Sequence, residues 1–143
     1  MNYKTLTVAL TATLALSLLT ASAEDKKLDA SKLPPASTMT GVTYDKDIKP
    51  IFDKNCVKCH HGEKAHAKLH LDTMEGAIKG GKEGPDIISG KSGDSPLVYA
   101  VAHIGDDDDF MPPTKKMKDG TTLTPLTPEQ VGLIRAWIDQ GCK

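Results

Sequence analysis

The feature that most limits what this chain can become is Cys56-Val57-Lys58-Cys59-His60. Two thiols separated by two residues, with a histidine directly after the second, form the attachment pattern of a c-type haem. Each sulfur can add to one of the two porphyrin vinyl groups. The next imidazole, on His60, then reaches the iron as an axial ligand. Two other chemistries use the same residue types. A zinc site would take Cys56, Cys59 and His60 plus a fourth ligand from His61, His66, His70 or His103. A redox C-x-x-C pair would sit beside a strand-helix-strand pattern, and the sequence carries none.

Composition favours the haem. Only 4% of residues are aromatic, so the chain supplies few large core side chains, and a buried porphyrin would add apolar mass. A net charge of -1 argues against a nucleic-acid partner, which calls for a strongly basic face.

Lys4, an apolar stretch from about Leu6 to Leu19 and Ala21-Ser22-Ala23 follow the order of a secretory signal peptide, residues 1–23. The apolar run is shorter than the roughly 20 residues a span requires and is interrupted by Ser and Thr, so no stable membrane anchor is expected. Export would place the mature chain in the periplasm. Residues 24–42 are polar, Lys-rich and broken by Pro34-Pro35, which predicts a flexible linker before a single domain over 43–143. Three cysteines are an odd number for an oxidising compartment. Haem would use Cys56 and Cys59 and leave Cys142, read either as a thiol on a frayed terminus or as the link of a disulfide dimer of an otherwise monomeric chain.

Helical patterning dominates the remainder. Tyr44, Ile48, Ile51 and Phe52 share a face, with Asp45 or Asp47 as cap and Pro50 in the first turn. Asp72 or Thr73 caps a short helix through Met74, Ala77 and Ile78 that ends at Gly80-Gly81. Asp94-Ser95-Pro96 opens a third helix with Leu97, Val98, Val101 and Ile104 inward. Thr127-Pro128 with Gln130 predicts a capping box for a last helix burying Val131, Ile134, Trp137 and Ile138 and stopping at Gly141. The run Gly84 to Ser92 does not meet the spacing of a phosphate-binding loop.

Met111 precedes Pro112-Pro113 in an extended loop, where a soft thioether can be held over a haem iron without a helix behind it. Met74 and Met117 read as filler or surface, and His103 as a core or surface histidine. Lys54, Lys58, Lys64 and Lys68 could form a basic rim for an acidic redox partner, or simply a solvated face. Asp106 to Asp109 reads as a hydrated loop, since consecutive carboxylates cannot all face one calcium ion.

Taken together, Tyr44 to Phe52, Asn55 with the Cys56–His60 motif, Leu71-Asp72, Gly80-Gly81, Gly84-Pro85, Gly90-Lys91, Met111-Pro112-Pro113 and the stretch from Leu126-Thr127 to Trp137-Ile138 resemble planctomycete-type cytochrome c domains, within the class I cytochrome c fold. The resemblance covers about residues 43 to 141. It implies a small all-α fold around one covalent haem c, with the N- and C-terminal helices packed together. It also implies His60 as proximal and Met111 as distal iron ligand, with the carbonyl of Gly84 or Pro85 accepting a hydrogen bond from the His60 ring. The function it implies is electron transfer between redox partner proteins, not catalysis. A haem peroxidase or small-ligand sensor with an open distal site is the alternative, and a structural zinc module is the alternative without haem.

Overall fold

A computed structural model describes residues 28–143. The expected signal peptide, 1–23, lies outside the described residues, as do residues 24–27. Among the described residues there are four α-helices and no strand: α1 (Lys49–Asn55), α2 (Met74–Lys79), α3 (Pro96–Val101) and α4 (Pro128–Asp139). No described helix is long and apolar enough to cross a membrane.

A wider π-helical turn, Tyr44–Ile48, runs directly into α1. Asp47 does not cap the helix from inside; its carboxylate accepts the Thr43 N–H at 2.9 Å and so braces the entry. Pro50 falls within the first turn, where its missing N–H costs nothing. The apolar face arises as its spacing predicts, with Ile48, Ile51 and Phe52 buried.

The last helix meets the first through aromatic rings. Trp137, fully buried, lies 5.7 Å from Tyr44 and 6.5 Å edge-on from Phe52 between ring centroids, and Tyr44 and Phe52 are 6.2 Å apart. Such edge and tilted pairs stabilise beyond the area they bury. The indole N–H donates to the Lys143 carbonyl at 3.0 Å and the Tyr44 hydroxyl to the Leu71 carbonyl at 3.0 Å, so no polar tip is left unpaired in this core. The capping box forms in full: Gln130 N–H donates to Thr127 Oγ1, and the Gln130 side chain accepts the Thr127 N–H.

Two expectations fail. The described part of the expected linker is fastened along α4. Ser37 N–H donates to the Gly132 carbonyl at 2.8 Å, Arg135 to the Pro34 carbonyl, and Gln140 to the Met39 carbonyl while accepting the Val42 N–H. A Cβ on Gly132 would stand 2.7 Å from the Pro35 carbonyl oxygen, so the close approach needs glycine. Only Leu33 and Val42 of this segment are buried apolar residues. The Gly132 carbonyl and the side chains of Arg135 and Gln140 hold it by its backbone, an attachment that leaves no periodic apolar pattern to read. The second failure is Cys142, which is not on a frayed end. It is 5% exposed, and its N–H donates back to the Trp137 carbonyl at 3.0 Å after the turn at Gly141.

Candidate functional site

The C-x-x-C-H segment is the turn that ends α1. Cys56 N–H still donates to Phe52, the last bond of the helix, and both Cys59 N–H and His60 N–H donate to the Cys56 carbonyl at 3.0 and 3.1 Å. One carbonyl thus gathers both thiols and the imidazole into a single turn. The chain after it folds back on the same residues: His66 N–H donates to the Cys59 carbonyl and Leu71 N–H to the His60 carbonyl, each at 2.9 Å.

Cys56 is buried, and burial pushes its thiol up to about 12, the neighbouring Cys59 adding to the effect. The thiol is therefore neutral, which does not suit a reactive redox pair, whose attacking cysteine needs a lowered pKa. Burial also lowers the His60 pKa, against the pull of the Leu69 and His66 carbonyls, and keeps the imidazole neutral as a metal ligand requires. The His60 Nδ1 is buried and has no partner. The bond expected from this ring to Gly84 or Pro85 is not made; the Gly84 carbonyl accepts Gly81 N–H at 3.0 Å instead.

The glycine loop nonetheless packs against this region. Lys82 N–H donates to the Ala67 carbonyl at 2.7 Å, and Gly81 N–H also reaches the Asp86 carboxylate at 2.9 Å. Gly80, at φ 79°, ends α2, and a Cβ there would fall 2.2 Å from the Gly84 carbonyl oxygen.

Met111 comes from the other side of the sequence. It follows α3 and a single 3-10 turn, Asp107–Asp109, and it is half-buried against the core. Its N–H donates to the Ala100 carbonyl at 3.1 Å, which fixes its backbone to the end of α3. The structure ties Met111 to α3 and the Cys56–His60 turn to α1; the hydrogen bond that joins the two segments is the exposed one from Lys58 to Asp119.

The remaining candidates sort by exposure. His61 and His66 are exposed, and His66 meets His60 only edge-on at 6.5 Å between rings. His70 is half-buried 4.0 Å from Asp72. Lys54, Lys58, Lys64 and Lys68 all face solvent, and Lys58 is paired with Asp119 at 3.1 Å. Asp106, Asp107 and Asp108 can bring one oxygen each within 4.8 Å of one another, but all are exposed and Lys115 already sits on Asp108 and Asp107 at 2.5 and 3.9 Å.

His103 carries more than its lone place in the sequence suggested. Its ring stacks flat on Phe110, and its Nε2 is buried without a partner. Buried polar atoms are normally satisfied. His60 Nδ1, Asp72 Oδ1 and His103 Nε2 are the side-chain exceptions among the described residues. Two neutral-donor segments, one with paired thiols and a desolvated imidazole and one with a half-buried thioether, suit a soft, covalently held iron centre better than a closed zinc site of thiolates. The residues fit a haem.

Residues 56–115 match the family model described as Planctomycete cytochrome C. No curated protein and no solved structure matches the chain. The match begins on Cys56 and runs past Met111, so it spans both segments. The cofactor of such a domain is covalent haem c with its iron.

Proposed function

Given that this chain carries a planctomycete-type cytochrome c domain, we propose that it is a periplasmic monohaem carrier that passes single electrons between redox partner proteins and is not an enzyme. When bound, haem c supplies the one-electron ferric/ferrous couple. Cys56 and Cys59 would hold the group covalently, and His60 and Met111 would ligate its iron; with both in place substrate chemistry would have no entry.

The observation that carries this reading is the setting of Met111. Its side chain is half-buried against the core and its N–H is fixed to Ala100. A thioether opposite an imidazole favours the reduced state relative to stronger donors, and ligands retained in both redox states keep reorganisation small. The buried Cys142 supports a monomer, because its sulfur is covered where a second copy would have to reach it.

The deciding measurement is the visible spectrum of the purified protein with and without Met111. The wild-type protein gives a covalent c-type haemochrome and a low-spin ferric spectrum, and the reduced form binds carbon monoxide slowly. Met111→Ala becomes high-spin and binds carbon monoxide readily. A resting wild-type protein that binds it at once has an open distal site and belongs with peroxidases or sensors. An unchanged spectrum in Met111→Ala assigns the sixth ligand elsewhere.

A further inference from the structure

Between α3 and Met111 lies a turn whose two ends are pinned to the same atom. The Ala100 carbonyl accepts His103 N–H at 3.2 Å and Met111 N–H at 3.1 Å. His103 takes a left-handed backbone conformation, φ 54°, which L side chains seldom adopt and which turns the chain out of the helix. Its ring then lies flat against Phe110, with centroids 4.6 Å apart and planes 6° from parallel. Phe110 is the residue immediately before Met111. Asp106 to Asp109, in between, are all exposed and hold nothing inward. The His103 Nε2 is buried with no partner, whereas a histidine serving only to solvate this turn would keep its nitrogens in water.

We propose that His103 is a positioning residue for Met111, acting through its stack on Phe110. The flat contact sets the direction in which the chain enters Met111, and hence the side from which the thioether approaches the haem iron. Ala100 fixes where the backbone starts and ends; the two rings fix how it is oriented. This rests on Met111 as axial ligand, and Met111→Ala serves as the reference that tests that premise separately.

The test uses the holoprotein and two readouts: the thioether-to-ferric charge-transfer band, and the affinity for imidazole, which competes with Met111 for the iron. Losing a stacked pair should raise imidazole affinity roughly three- to tenfold in His103→Ala and weaken the band. Phe110→Ala should do the same, and the double variant should be no worse than either single one, because both remove one shared contact. His103→Phe keeps a flat ring and should return within about twofold of the wild type. Should His103→Ala fail to fold, Phe110→Ala and His103→Phe carry the comparison alone. Wild-type imidazole affinity in the alanine variants, additive effects in the double variant, or no rescue by phenylalanine overturns the proposal. An unchanged spectrum in Met111→Ala removes the premise, and loss of the sixth ligand in His103→Ala alone makes His103 itself the ligand; either result overturns it as well.

Discussion

The two segments that carry the proposed haem ligands are held in opposite ways. The first, from Cys56 to Leu71, grows out of α1 and is closed by a series of backbone hydrogen bonds onto its own carbonyls, over an aromatic core of Tyr44, Phe52 and Trp137. The second, from His103 to Leu126, meets the rest of the domain through the Tyr99 and Ala100 carbonyls, the exposed Lys58–Asp119 pair and the apolar packing of Ile104, Met111 and Leu126, while its ring stack and its Lys115 pairs are internal to it. A covalent link needs a rigid frame. A neutral thioether ligand needs only correct approach, and a sparsely tied loop leaves its strength adjustable by single residues.

If that contrast is right, substitutions on the first side should cost far more than those on the second. Trp137→Ala, which empties a fully buried indole site, should lower stability by about 3–5 kcal/mol in denaturant unfolding. A loss below the cost of a surface change would mean that the α1–α4 contact is not the core. Gly80→Ala comes next, at about 1–3 kcal/mol, because it places a Cβ at positive φ against the Gly84 carbonyl. Far-UV circular dichroism melts of the holoprotein would read it.

Beyond α3, Lys115→Ala removes only solvent-exposed pairs and should leave the unfolding midpoint close to that of the wild type. A clear drop would show the aspartate turn to be part of the frame. The smallest effect is that of Asp119. Hydrogen bonds from Thr121 and the nearby Lys58 ammonium lower its pKa from 3.8 to about 2. A carboxylate with a depressed folded-state pKa stabilises fully above its unfolded value and loses that contribution as pH falls through the folded one. Its signature should therefore lie between pH 3.8 and about 2, with no change near neutrality; comparing acid melts of the wild type and Asp119→Asn isolates it.

What the sequence revealed follows the same division. The Cys-Cys-His turn and the capping box of α4 are local: Thr127 and Gln130 are three residues apart, and so are Cys56 and Cys59. Chemistry set by spacing is legible without a fold. α3 proved shorter than its apolar pattern, because His103 turns left-handed and leaves Ile104 beyond the helix. The segment from Leu33 to Val42 was unreadable because Gly132, Arg135 and Gln140 bind its backbone, and no pattern in the segment itself records that. Cys142 looked terminal and free, yet the turn at Gly141 carries it into the core. The partnership of His103 with Phe110 left only a faint trace: one of two phenylalanines in the whole chain stands next to Met111.

The fastening of Pro34 and Met39 to α4 joins positions 101 residues apart. The polypeptide therefore cannot complete its own closure until its far end has been made and has docked. Contacts across so long a loop are the slow ones to form. The late-arriving helix is therefore the latch of the domain.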